Sequence, residues 1–265
     1  MLPELFRDLG LPAVSRLESR WTSVNGRILH SRSSETVAGD NVPFVLIHGL
    51  VISSLYMIPL AECIALVHPV HALDLPGFGR SESPSEVLTI PRVADWVIAW
   101  ISGMGIRQCH LVANSLGCEI SAQIAVKAPE RVATLTLIGP TIDPQAHALG
   151  IQIIRLLRDA LHEPVRLWMN WIFDLFRAGF RRAIGTTREM LRNYIEQQLP
   201  RITAPTLVLR GNNDPTVPQS AALAMTQLLT NGALLVIASA PHCVHYTNPL
   251  EVWRAIRDHT RTHSV

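Results

Sequence analysis

Six short apolar runs, separated by stretches with helical periodicity, are the feature that most restricts the fold of this sequence. The runs are rich in Val, Leu and Ile and nearly continuous, as in strands of a parallel sheet that are buried on both faces. They lie at 42–49, 70–77, 109–115, 132–139, 205–214 and 233–241. The stretches between them predict helices at 54–66, 90–104, 116–128, 219–230 and 249–260. An alternation of this kind predicts a doubly wound α/β sheet.

Two segments depart from this alternation. Residues 21–33 contain two short runs joined by an Asn-Gly dipeptide, which predicts an antiparallel hairpin at the edge of the sheet. Residues 144–200 have helical patterning only, with breaks expected at Pro164, Gly179 and Gly185. We therefore predict a helical cap over the carboxyl edge of the sheet. The predicted division is a first part of the core domain at 1–143, the cap at 144–200 and a second part of the core domain at 201–265.

The composition excludes several classes of protein. The 265 residues carry a formal net charge of +2 and no dense block of Lys or Arg, too little charge to imply a nucleic-acid partner. No run of about 18 apolar residues is present to span a membrane, and the N-terminus lacks the pattern of a signal peptide. The four cysteines are Cys63, Cys109, Cys118 and Cys243. They lack C-x-x-C spacing, which is typical of a protein in a reducing cytosol. We predict a cytoplasmic protein in which these thiols are small core side chains.

Polar residues and glycines follow five of the apolar runs, at the positions where ligands bind in an open parallel sheet. They are His48 and Gly49, then Asp74, Pro76, Gly77 and Gly79, then Ser115, then Asp214, and finally His242. Ser115 stands where a strand meets a helix, in the stretch "HLVANSLGCEI". There it is either the N-cap of the helix, a common role of serine, or a nucleophile on a sharp turn.

The chemistry of Ser, Asp and His side chains explains why these residue types would act together. A serine hydroxyl becomes a good nucleophile when a base takes its proton, and histidine has a pKa near neutrality. A carboxylate holds the imidazole in the required tautomer. Ser115, His242 and Asp214 are our candidates for these three roles. Asp143 and His245 are the alternatives for the acid and the base, with His242 favoured because it directly follows a strand.

From about residue 20 to the C-terminus, the order of these motifs resembles the α/β-hydrolase fold family. The stretch around Ser115 resembles the G-x-S-x-G nucleophile motif of that family, with Ala113 in place of the first glycine. The stretch "GNNDPTVP" resembles its acid loop, which favours Asp214 over Asp143. The resemblance implies a mostly parallel sheet flanked by helices, with a helical cap insertion and no cofactor.

The resemblance also narrows the reaction. It implies an oxyanion hole formed by the backbone N–H groups of Leu50 and Leu116. A serine nucleophile differs from the aspartate that haloalkane dehalogenases and epoxide hydrolases of the same fold use. The stretch "NSLG" resembles the "NSMG" of the meta-cleavage-product C–C hydrolases, but "PHCVHY" lacks the tryptophan usual after their catalytic histidine.

We therefore predict a serine hydrolase that cleaves a small carboxylic ester through an acyl-enzyme on Ser115. Hydrolysis of a C–C bond or an amide by the same three residues is the alternative. A non-catalytic binding protein on a hydrolase scaffold is the alternative from outside the enzymes.

The remaining candidates concern substrate contacts, metals and partners. Asn114, Trp168 and Trp171 are candidate substrate-binding residues, and His48 is expected to orient the oxyanion loop. Three arginines of the insertion are expected to face solvent, namely Arg177, Arg181 and Arg182. No Cys or carboxylate cluster accompanies the histidines, so no metal is predicted. The predicted partner is a small-molecule ester or related acyl compound, and the sequence leaves the oligomeric state open.

Overall fold

The computed structural model describes residues 16–34, 42–140 and 163–263 of the chain. Within these ranges the strands are β1 (Glu18–Val24), β2 (Arg27–Ser34), β3 (Phe44–Ile47), β4 (Val70–Leu73), β5 (Cys109–Asn114), β6 (Val132–Ile138), β7 (Thr206–Gly211) and β8 (Gly232–Ile237). They form one sheet in the order β1-β2-β4-β3-β5-β6-β7-β8. Strand β2 is antiparallel to both of its neighbours, and every other pairing is parallel. The predicted mostly parallel α/β sheet is confirmed.

The nearly continuous apolar runs are explained by two hydrophobic clusters, one on each face of the sheet. In β3, Val45 and Ile47 pack into one cluster, whereas Phe44 and Leu46 pack into the other. Successive side chains of a strand point to opposite faces, so a central strand needs apolar residues at every position. The last run is an exception, because β8 lies at the edge of the sheet and Leu235 is 42% exposed. The expectation that this run is buried on both faces is wrong.

The helices cover both faces of the sheet. They are α1 (Ile58–Ile64), α2 (Ile90–Gly103), α3 (Leu116–Lys127), α4 (Val165–Ala178), α5 (Phe180–Arg192), α6 (Gln219–Leu228), α7 (Val244–Thr247) and α8 (Pro249–His263). Residues of α2, α3 and α6 belong to one hydrophobic cluster, and residues of α1 and α8 belong to the other. A 3-10 helix at Ser54–Met57 precedes α1. None of the helices in the described ranges is long and apolar enough to cross a membrane.

The predicted hairpin is formed by β1 and β2. Asn25 and Gly26 connect the two strands with φ values of 50° and 75°. Positive φ at both turn residues matches the right-handed twist of the flanking strands, which is why Asn-Gly is favoured there. The hairpin prediction from this dipeptide is confirmed.

Two of the three breaks expected in the predicted cap lie at helix ends in the described residues. Pro164 precedes α4, and Gly179, with φ of 81°, separates α4 from α5. Gly185 lies inside α5, where a Cβ atom would come within 2.7 Å of Val87 Cγ2. Glycine therefore allows close packing at this position and does not end the helix. Residues 141–162 lie outside the described ranges, so the domain boundaries stay a prediction.

Candidate active site

The backbone of Ser115 makes a sharp turn between β5 and α3. Its φ and ψ are 56° and −126°, a combination that residues other than glycine rarely adopt. The Ser115 N–H donates a hydrogen bond to the Ile138 carbonyl at 3.0 Å, and the side chain makes no capping hydrogen bond to α3. The hydroxyl group therefore does not cap the N-terminus of α3, which argues against the N-cap interpretation.

The packing around this turn explains which glycine of the nucleophile motif is required. A Cβ atom on Gly117 would lie 2.6 Å from the Ile47 carbonyl oxygen and 2.8 Å from that of His48. Ala113 is buried within β5, and its methyl group belongs to a hydrophobic cluster. The turn thus needs glycine after Ser115 and accommodates alanine before it.

Asp214 and His242 form a buried hydrogen-bonded pair. His242 Nδ1 lies 2.8 Å from Asp214 Oδ2. Asp214 Oδ1 accepts hydrogen bonds from the Thr216 N–H at 2.8 Å, the Thr216 hydroxyl at 2.6 Å and the Val217 N–H at 3.1 Å. Burial acts to raise the pKa of Asp214, but His242 and these donors outweigh it and lower that pKa. The ionised carboxylate holds the proton on Nδ1, which makes Nε2 the basic nitrogen of His242.

The end of β6 brings this pair close to Ser115. The carbonyl of Ile138 accepts the Ser115 N–H, and the next residue is Gly139, with φ of 51°. A Cβ atom on Gly139 would come within 2.8 Å of His242 Cε1 and 3.3 Å of Asp214 Oδ2. The three predicted catalytic residues therefore meet at one strand end, and Gly139 leaves the space that the imidazole occupies.

The alternative base, His245, lies in a different environment. It is fully buried and packs edge-on against Tyr56 with ring centroids 4.6 Å apart, and neither ring nitrogen has a hydrogen-bond partner among the described residues. Burial, assisted by the nearby His242, lowers its pKa to about 3. No carboxylate in the described part of the chain is hydrogen-bonded to His245. The alternative acid, Asp143, lies outside the described residues.

In the predicted oxyanion loop, His48 makes two hydrogen bonds to the backbone, and Val51 has a strained backbone conformation. His48 Nε2 accepts the Leu75 N–H at 2.9 Å, so its Nδ1 carries the proton and donates to the Gly49 carbonyl at 2.9 Å. Burial lowers the pKa of His48, which favours this neutral form. Val51, directly after Leu50, has φ of 52°, rare for a β-branched residue. Leu116, the other predicted donor, is the first residue of α3, and its N–H lacks an intrahelical acceptor.

The predicted substrate-binding residues occupy two different settings. Asn114 is 1% exposed, accepts a hydrogen bond from the Tyr56 hydroxyl at 2.8 Å and donates one to the Ile138 carbonyl at 3.0 Å. Both polar atoms of its amide are hydrogen-bonded to protein groups, which does not favour contact with a substrate. Trp168 and Trp171 contact each other on α4, and Trp171 packs against both hydrophobic clusters.

Residues of the predicted cap contribute polar contacts to the core that sequence reasoning missed. The Glu163 carboxylate accepts a hydrogen bond from the backbone N–H of Cys243, the residue after His242, at 2.6 Å. Asp174 is buried on α4 and faces Ser53. Arg182, expected to face solvent, donates instead to the carbonyl of Pro84 at 2.6 Å. The one signal in the sequence was an acidic residue inside the otherwise apolar stretch "WIFDLF".

The described residues show no metal centre. Within these ranges, no group of three or more His, Cys, Asp or Glu side chains is arranged to hold a metal ion. Asp74, another strand-end residue, is bound to protein groups. It contacts His30 Nδ1 at 2.7 Å and accepts the N–H groups of Ser54 and Arg80.

Comparison with known proteins identifies the family. The model of the α/β hydrolase fold family matches residues 42–200, and a model described as TAP-like protein matches residues 187–252. The first match spans more than half of the chain. The chain therefore belongs to the α/β hydrolase fold family.

Individual relatives are named as hydrolases of different compounds. The chain is 23% identical over 239 residues to (E)-2-((N-methylformamido)methylene)succinate hydrolase of Acinetobacter baylyi, covering 83% of this chain and 90% of that protein. It is 24% identical over 241 residues to the pimeloyl-acyl-carrier-protein methyl ester esterase of Aeromonas hydrophila, covering 80% of this chain and 92% of that protein. Among solved structures, a thermophilic esterase from Thermogutta terrifontis superposes with a TM-score of 0.77 at 22% identity, covering 93% of this chain and 100% of that chain.

Proposed function

We propose that this protein is a serine hydrolase that cleaves a small carboxylic ester through an acyl-enzyme on Ser115. One observation carries the proposal. The buried Asp214–His242 pair lies at the strand end whose carbonyl holds the strained backbone of Ser115. A serine close to an imidazole that a carboxylate orients is the arrangement that nucleophilic catalysis requires.

The proposed mechanism has two steps. In the first, His242 Nε2 takes the Ser115 hydroxyl proton as Oγ attacks the ester carbonyl, and the Leu50 and Leu116 N–H groups stabilise the oxyanion. The C–O bond to the alcohol then breaks, and His242 returns the proton to the departing alkoxide. In the second, His242 takes a proton from water, the hydroxide attacks the acyl carbon, and Ser115 Oγ leaves with that proton.

A small cavity lies next to Leu116, whose N–H is a proposed oxyanion donor. Its lining is largely apolar, with Leu75, Phe78 and Leu88 from the core, and also includes Arg182 and Thr186. The proposed substrate remains a small carboxylic ester. The esterase among the relatives acts on a methyl ester, which agrees with this substrate class.

Hydrolysis of a C–N or C–C bond is the second candidate. The Acinetobacter relative is named as the hydrolase of an N-methylformamido compound, and the "NSLG" stretch resembles that of C–C hydrolases. The same three residues could act on either bond. Rates on an aryl ester, an aryl amide and a dienoate ring-fission product, measured side by side, would identify the preferred bond.

The proposal is tested by Ser115→Ala with Ser121→Ala as a matched control. Ser121 lies on α3, the helix that follows Ser115. It is fully buried, and its hydroxyl has no hydrogen-bond partner among the described residues. We expect Ser115→Ala to lower kcat for a short-chain p-nitrophenyl ester by about 10³-fold or more, while Ser121→Ala stays near the wild-type rate. Full activity of a folded Ser115→Ala variant would exclude the proposed nucleophile.

A further inference from the structure

The hydroxyl group of Tyr56 lies between the oxyanion loop and the nucleophile turn. The backbone N–H of Gly49 donates to the Tyr56 oxygen at 2.6 Å, and the Tyr56 hydroxyl donates to Asn114 Oδ1 at 2.8 Å. Gly49 directly precedes Leu50, and Asn114 directly precedes Ser115. One hydroxyl group therefore joins the residues before the proposed oxyanion donor and the proposed nucleophile.

Asn114 extends this connection to the end of β6. Its Nδ2 donates to the Ile138 carbonyl at 3.0 Å, and the same carbonyl accepts the Ser115 N–H at 3.0 Å. Ile138 also precedes Gly139, the residue against which His242 lies. The hydrogen bonds thus run from the oxyanion loop through Tyr56 and Asn114 to the strand end where the catalytic residues meet.

The surroundings of Tyr56 hold its ring and keep its hydroxyl protonated. The side chain is 2% exposed, and the buried His245 packs edge-on against the ring. Burial raises the pKa of Tyr56 well above its ordinary value, which favours the protonated hydroxyl that donates to Asn114. Removing the hydroxyl would leave the Gly49 N–H and Asn114 Oδ1 buried without partners.

The oxyanion loop also approaches the nucleophile closely at this point. A Cβ atom on Gly49 would lie 3.1 Å from Ser115 Cβ and 2.9 Å from the Tyr56 oxygen. A small shift of the Gly49–Leu50 peptide would therefore change the distance between the Leu50 N–H and the oxygen that it stabilises. Such donors act by their fixed position, and misplacement of about 1 Å can lower the rate by about 10²-fold.

We propose that Tyr56 is a positioning residue that fixes the position of the Leu50 N–H relative to Ser115. It thereby keeps the oxyanion hole preorganised. This inference rests on the proposed function. It assigns Asn114 the same positioning role in place of a substrate contact. Both side chains are buried and hydrogen-bonded to protein groups, so we expect both to influence the transition state more than substrate binding.

Tyr56→Phe tests the proposal because it removes only the hydroxyl. We expect kcat for a p-nitrophenyl ester to fall by about 10-fold to 10²-fold with KM within about twofold of wild type. The affinity for a trifluoromethyl ketone, which forms a tetrahedral adduct with the serine, should fall by a similar factor. Tyr194→Phe, at an exposed tyrosine, is the control and should change neither quantity.

A second variant keeps the test decisive if Tyr56→Phe is poorly folded. Asn114→Ala removes the acceptor but leaves the bond between Tyr56 and Gly49, and we expect the same loss confined to kcat. Unchanged kcat in a folded variant, or a rise in KM alone, would overturn the positioning role. Wild-type activity in Ser115→Ala would instead overturn the proposed function, so the two failures are distinguishable.

Discussion

At Ser115 the chain adopts a left-handed backbone conformation that is strained for a residue with a side chain. The surrounding contacts show how this strain is tolerated. The Ser115 N–H is held by the Ile138 carbonyl, and Gly117 lets α3 begin directly against the carbonyls at the end of β3. The departure from the family motif at Ala113 has no such steric consequence, since a methyl group fits at that position of β5.

A pair of substitutions at these two positions tests this account. Gly117→Ala should lower stability by about 1–3 kcal/mol and reduce activity, because the new methyl group collides with backbone that cannot move independently. Ala113→Gly should leave activity near the wild-type value and cost about 1–2 kcal/mol through chain entropy and the lost burial of the methyl group. Urea unfolding and ester hydrolysis of both variants check these expectations. Equal losses of activity in the two variants would contradict them.

Individual catalytic candidates could be predicted from sequence because each follows a strand. The residues that connect them could not. Tyr56 contacts Asn114 across 58 positions of the chain, and Glu163 contacts Cys243 across 80. No local pattern marks such pairs, since a tyrosine in a helical stretch and a glutamate before a helix are both ordinary.

Helix α4 exposes apolar side chains and buries an acidic one. Phe173 and Phe176 are exposed, whereas Asp174 points inward and is only 2% exposed. Burial, with a smaller contribution from the charge of Asp74, raises the pKa of Asp174 to about 6, although hydrogen bonds from Ser53 and the charge of Arg177 act to lower it. The acid is therefore protonated in the folded state at a pH where it would be ionised in the unfolded chain.

The sign of the resulting pH dependence follows from this difference. Between the ordinary pKa of 3.8 and about 6, folding takes up a proton at Asp174, so its contribution to stability falls as the pH rises and is fully lost above about 6. Asp174→Asn should therefore be more stable than wild type at pH about 8, by at most about 3 kcal/mol, and nearly equal to it at pH about 4.

Urea unfolding at both pH values measures this effect. Asp258→Asn on α8, where the carboxylate is exposed, is the control for the loss of a surface carboxylate. A difference between Asp174→Asn and wild type that is the same at pH about 4 and about 8 would contradict the assignment.

Strands of the core were predictable because burial on both faces of the sheet gives nearly continuous apolar runs. Helices were predictable because burial on one face gives apolar residues a period of about 3.6 residues. The two wrong predictions concern the burial of β8 and the helix break at Gly185, both of which depend on packing between elements. An edge position exposes β8 despite its apolar run, and close contact with Val87 places Gly185 inside a helix. The sequence cannot show which strand is at the edge or which helix surface a neighbour approaches.

Across the whole molecule, the carboxyl edge of the sheet collects loops that lie far apart in the chain. The turns after β3, β5, β6 and β7 supply Gly49, Ser115, Gly139 and Asp214, and the loop after β8 supplies His242. Parallel strands make this convergence possible because all of their carboxyl ends face the same way. The proposed catalytic residues thus lie at the edge where ligands bind in open parallel sheets.

Covalent labelling by a fluorophosphonate, followed by intact-mass and peptide mass spectrometry, tests the central claim most directly. The account predicts one adduct, located on Ser115, and labelling slowed by about 10³-fold or more in His242→Ala because the hydroxyl then lacks its base. Adduct formation at another residue, or equally fast labelling of His242→Ala, would contradict the proposed nucleophile and base.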